Sequence, residues 1–121
     1  MSFHKVPLKF YTGETFERNW VWSTGSSVED STPVNLTGCT AKLQVRPTAD
    51  SATVLIELST QNDGIILGGV SGNIKIIVSD EATSLFTWNQ GVYDLFIYFP
   101  DGTSVVRMGG LVSVAKGVTR V

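Results

Sequence analysis

The chain has one cysteine, Cys39, and one histidine, His4, in 121 residues, so it can close no intrachain disulfide. Stability must come from packing alone, which fits synthesis in a reducing cytosol. Two nitrogen or sulfur ligands do not make even a three-ligand catalytic zinc set, so no metal is expected. Cys39 and His4 fall in different predicted strands with no local signature of a nucleophile and base; a buried structural thiol and a solvated terminal histidine are expected. Charge of one sign is missing too. Nine Lys and Arg against eleven Asp and Glu leave a net charge of −2, dispersed, with no basic stripe to neutralise phosphates. No apolar run approaches the roughly 18 residues of a membrane span, and no signal-type leader opens at Met1. The expectation is a soluble, non-enzymatic protein with no cofactor, no nucleic-acid partner and no membrane partner.

Helix formers are scarce, and Val, Ile, Thr, Ser and Gly take their place, which favours sheet. The clearest element is residues 91–114, GVYDLFIYFPDGTSVVRMGGLVSV, a long β-hairpin turning at Pro100-Asp101-Gly102. Pro100 presets φ, Asp101 can bond its local backbone, and Gly102 can take a positive φ. Gly109-Gly110 within the return strand predicts a bulge, which bends a strand or lets another backbone approach closely.

Upstream, residues 3–11 read as an edge strand, with Val6, Leu8 and Phe10 on one side and Lys5, Lys9 and Tyr11 on the other. In residues 14–23, Phe16, Arg18, Trp20 and Trp22 share a face. Residues 24–32 read as an exposed loop. Ala41, Leu43 and Val45 alternate with polar neighbours up to Pro47, and further inward sets are Val54, Ile56, Leu58 and then Ile74, Ile76, Val78. Asn62-Asp63-Gly64 and the Gly68, Gly69, Gly72 group mark turns. Residues 79–87 are the one helical candidate, capped by Ser79 or Asp80 and pinned to the core by Leu85 and Phe86.

Seven or eight strands with one helical turn near 80–86 describe a single domain over residues 1–121: an immunoglobulin-like antiparallel β-sandwich with Greek-key connections. A small barrel is the competing fold. Residues 1–13 form an N-terminal arm or edge strand and residues 115–121 a C-terminal tail. Gly91-x-Tyr93 after a helical turn has the spacing of a tyrosine corner. Asp94 is either solvent-facing or a partner for Arg107. The pairs Glu29-Asp30 and Asp80-Glu81 lack the alternating ligand pattern of a calcium cage, and loop solvation and helix capping account for them. Trp20, Trp22 and Trp88 could stack on sugars if exposed on one face, or fill the core with Phe16.

The order of short motifs resembles a known group. TPVNLTG at 32–38 followed by AKLQVR at 41–46, then GVYDL at 91–95, the PDG turn, Val106-Arg107 and GVTR at 117–120 are similar to small bacteriophage virion proteins. The likeness, over about residues 14–120, is to the amino-terminal immunoglobulin-like domain of phage baseplate upper proteins and tail-fibre adaptors. It implies a structural virion component, located in the particle after synthesis in the host cytoplasm. The chain ends after one sandwich, where baseplate upper proteins continue into helical linkers. A small multi-copy adaptor subunit contacting other phage structural proteins, or a homo-oligomer, is therefore expected. A capsid decoration protein of the same fold and a carbohydrate- or host-surface-binding module are the alternatives. Residues 3–11 and 116–121 are expected as arms adding to a neighbour's sheet edge. The candidate interaction residues are Trp22, Trp88, Glu29, Asp30, Lys5 and Lys9.

Overall fold

A computed structural model describes residues 4–24 and 31–118. They form an all-β sandwich of β1 (His4–Lys5), β2 (Leu8–Tyr11), β3 (Phe16–Val21), β4 (Ser23–Thr24), β5 (Thr32–Pro33), β6 (Thr40–Arg46), β7 (Ile56–Ser59), β8 (Ile65–Leu67), β9 (Asn73–Val78), β10 (Gln90–Tyr98) and β11 (Ser104–Ala115). A 3-10 turn at Gly69–Ser71 and the short helix α1 (Asp80–Ser84) complete them. The larger sheet runs β1-β11-β10-β6-β7 with β2 also on β11, the second runs β3-β9-β8, and β4-β5 make a small ribbon. The pairings β3 with β9 and β6 with β10 join strands distant in sequence, the Greek-key pattern of an immunoglobulin-like sandwich.

Period-two alternation decides which side chains enter the core. Leu43, Val45, Leu95, Ile97, Met108 and Val112 of the larger sheet meet Phe16, Ile65, Ile74, Ile76 and Val78 of the smaller one. Burying each such side chain is worth about 1.5–3 kcal/mol, against the ordering entropy of a chain with no disulfide. Val54 departs from the expected inward set and is exposed, because β7 begins only at Ile56.

The hairpin turns as its residues require. Gly102 N–H donates to Phe99 O and Phe99 N–H to Thr103 O, Asp101 Oδ1 accepts from Thr103 N–H, and Gly102 has φ 91°. The bulge is displaced from the expected position. Leu95 pairs with Met108 but Phe96 with Val106, which leaves Arg107 as the extra residue. Arg107 and Met108 are consequently both buried, and the guanidinium lies 4.9 Å from the centre of the Trp22 ring. Arg107 is therefore not opposite Asp94, which faces Gly109. Gly110 instead permits close approach: a Cβ there would lie 3.2 Å from Val6 O.

Residues 4–12 do not form a free arm; residues 1–3 lie outside the described residues. β1 and β2 pair with β11 in parallel, the exception to the antiparallel expectation. A parallel pair needs a long crossover, and here the whole domain intervenes. Val6 N–H donates to Gly109 O and Thr12 N–H to Ala115 O, so alternate residues face β11 and Pro7 turns its missing donor to the free edge. Gly117 N–H donates to Thr12 Oγ1, tying the start of the tail to the same segment; residues 119–121 lie outside the described residues.

Tyr93 makes a different lock from a tyrosine corner. Its hydroxyl donates to Val6 O at 2.5 Å, 87 residues upstream, reaching across β11 at Gly110, its partner in register. Burial pushes the phenol above its ordinary range. Tyr93→Phe should cost about 1 kcal/mol in urea unfolding and speed amide exchange at Val6, Leu8 and Phe10 more than in β6.

Ser79 caps α1, accepting from Ala82 N–H, but Leu85 does not pin it and is 78% exposed. Buried Thr83 fills that role: its hydroxyl donates to Glu14 O at 2.9 Å and accepts from Gly13 N–H at 3.0 Å. Phe86 joins Phe10 and Trp88 in an aromatic cluster.

Candidate interaction surface

The outward face of the larger sheet carries one side-chain row across five strands. Register places Glu57 of β7 beside Gln44 of β6, Gln44 beside Asp94 of β10, Asp94 beside Gly109 of β11, and Gly109 beside Lys5 of β1. The next row sets Arg46, Val92 and Leu111 side by side. Gly109 puts no side chain between Asp94 and Lys5 and is itself buried. An open groove of about 750 Å³ lies on this side of the sheet, lined by Lys5, Arg46, Val92, Asp94, Gly110 and Leu111 among others.

Hydrogen bonds stiffen one wall. Gln44 Nε2 donates to Glu57 Oε1 at 2.7 Å, and Arg46 donates to Gln44 Oε1 and to Ser51 O, each at 2.7 Å. The opposite wall is apolar, with Leu111 70% exposed at its rim. Phe96 and Tyr98 stack along the same face at 6.2 Å between centroids. Cationic, anionic and aliphatic groups thus converge on a rigid sheet, an arrangement suited to holding protein side chains.

Partial burial pushes the Asp94 carboxyl above its ordinary value of 3.8, and the Arg46 guanidinium counteracts this. Between the ordinary and the raised value the folded chain binds more protons than the unfolded one, so this residue's contribution to stability falls as pH rises through that window. Asp94→Asn should therefore be at least as stable as wild type at neutral pH. The difference should vanish below the ordinary carboxyl value. Asp101, held below its ordinary value by the Thr103 N–H, acts in the opposite sense, so the test is the difference between wild-type and D94N unfolding curves across pH.

Of the residues expected to meet partners, Lys5 lines the groove. Lys9 is exposed on the neighbouring edge, its ammonium 5.2 Å from the Tyr11 ring centre. Trp22 is 3% exposed, because the face it shares with Phe16 turns inward under Phe99 and Arg107; it presents no ring to a ligand. Trp88 is half-buried, 5.0 Å from Phe86 and 6.4 Å from Phe10 between ring centres. Glu29 and Asp30 lie outside the described residues. Cys39 is half-buried; burial, then the Asp101 charge, pushes its thiol up and disfavours the nucleophilic thiolate.

Arg46, Gln44 and Leu111 were not among the expected contact residues. The signal for them was present as the polar half of each alternating strand, but only register brings Asp94, Gly109 and Lys5 into one row. Neither a family model nor a curated protein sequence matches the chain.

Proposed function

We propose that the chain is a non-enzymatic structural subunit of a bacteriophage virion, a tail, baseplate or tail-fibre-associated adaptor that works through protein–protein contacts. The observation that carries this reading is the groove on the outer face of the larger sheet, where the Asp94 and Arg46 charges adjoin exposed Leu111 and the Phe96-Tyr98 stack. An exposed apolar strip rimmed by fixed charges is the surface chemistry of a protein contact. The ordered motifs from residue 32 to residue 120 supply the virion context.

The sugar-binding alternative loses support because Trp22 is buried and Trp88 is packed in an aromatic cluster. Quantitative mass spectrometry of particles purified from the phage that encodes the chain tests the proposal, with heads and tails analysed separately. The chain should be found with the tails in several copies. Its absence from particles would overturn the reading, and recovery with heads would make it a decoration subunit instead.

A further inference from the structure

Among the described residues the two main sheets have four outer strand edges, and three are shielded or short. The free edge of β1 and β2 carries Pro7 between Lys5 and Lys9. The β7 edge is covered by the Asn62 side chain, which donates to Glu57 O and accepts from Ser59 N–H. β8 is only three residues long. The fourth edge, β3, is six residues long, and most of its side chains are exposed.

Parity identifies the groups this edge presents. Trp22 N–H donates to Gly72 O, and the register pairs Phe16 with Val78 and Trp20 with Ile74, so the even residues bond to β9. The peptide groups of Glu17, Asn19 and Val21 point the other way. β5 does not cover them, because Val34 N–H reaches Trp22 O on the β9 side. Among the described residues the contact made there is Arg18 Nη1 to Glu17 O, at 2.9 Å.

We propose that β3 pairs antiparallel with β3 of a second copy about a two-fold axis at Asn19, joining the two smaller sheets into one. This deepens the assembly reading above, on which it rests, by naming the partner and the edge. The side chains select the register. Centring on Asn19 puts Glu17 opposite the second copy's Val21 and pairs the two Asn19 amides, while Arg18 lies opposite the second copy's Trp20. That last pair is of the non-hydrogen-bonded kind, in which side chains approach most closely, and it stacks a guanidinium on a half-buried indole. Centring one residue earlier would oppose Arg18 to Arg18, a like-charge cost. The contact is isologous and closes as a dimer, leaving the groove on the other sheet free for further partners.

Sedimentation equilibrium of the full chain tests this directly. Wild type should be a dimer whose Glu17, Asn19 and Val21 amides gain exchange protection with concentration. Asn19→Lys, which opposes two ammonium groups on the axis, should weaken dimerisation by at least about tenfold, and Arg18→Glu by several-fold. Both positions are exposed, so the far-UV spectrum should be unchanged. Ile66→Lys on the β8 edge should dimerise as wild type does. A wild-type chain still monomeric at about 1 mM, an affinity of only about 4 kcal/mol, would overturn the proposal. So would a dimer that both β3 variants leave intact. Failure here would leave detection of the chain in virions unaffected, and its absence from virions would not abolish a β3 dimer.

Discussion

Replacing Gly72 by alanine should destabilise the domain by about 4 kcal/mol, with the folded fraction collapsing well below the wild-type urea midpoint. Gly72 has φ 71°, a conformation that costs an alanine roughly 1–2 kcal/mol. A Cβ there would lie 2.5 Å from Trp22 O, 3.1 Å from Val34 N and 3.2 Å from Val34 O. All three are backbone atoms, so no side chain can swing aside. They belong to the junction where β3 leaves β9 for β5: Trp22 N–H donates to Gly72 O at 2.9 Å and Val34 N–H to Trp22 O at 2.8 Å. Making room breaks at least one of these bonds and leaves a buried peptide group unpaired, at about 1–3 kcal/mol. Gly13→Ala separates strain from collision. Gly13 has φ 87° but nothing within 4 Å of its added Cβ, so that variant should lose only the backbone contribution, about 1 kcal/mol.

This junction shows why part of the fold was legible in the sequence and part was not. Strands β6, β9 and β10 alternate cleanly because each has one face in the core, so Leu43, Ile76 and Leu95 could be placed by spacing alone. The PDG turn carries its own mechanism in three residues. Register carries no such local mark. The residues VVRMGG contain a bulge at Arg107, yet the two glycines beside it are the more conspicuous bulge signal. Gly109 and Gly110 answer to neighbours on β1 and β10, more than a hundred and about sixteen positions away, and to no local bend. Tyr93 likewise sits at a tyrosine-corner spacing while its hydroxyl serves Val6, which only the parallel β1 pairing brings near. The candidate site suffered most from this. Lys5 was named from its exposure at an edge, but its relation to Asp94 depends on two strand pairings, β1 with β11 and β11 with β10, that no spacing rule encodes.

Asn62→Ala should produce the second large effect, a loss of about 2–3 kcal/mol together with a new tendency to associate. Asn62 precedes Asp63, which has φ 63°, in the tight turn between β7 and β8. Its side-chain oxygen accepts from Ser59 N–H and Gly64 N–H, each at 2.9 Å, and its amide nitrogen donates to Glu57 O at 3.0 Å. Donating to one residue and accepting from the residue two further on is the pattern of a parallel neighbouring strand, so this one side chain occupies the place of a strand on the β7 edge. Alanine removes the turn's internal bonds and uncovers Glu57 O and Ser59 N–H at the same time. An edge opened in this way is a template for intermolecular pairing. Asn62→Asp separates the two consequences: a carboxylate still accepts from both N–H groups but cannot donate to Glu57 O. It should therefore keep much of the stability lost in alanine while leaving half of the edge uncovered. Urea unfolding should rank wild type above N62D above N62A, and light scattering near the unfolding midpoint should rise in the reverse order. Equal stability of wild type and N62A would show that the amide merely lies along the edge without holding it.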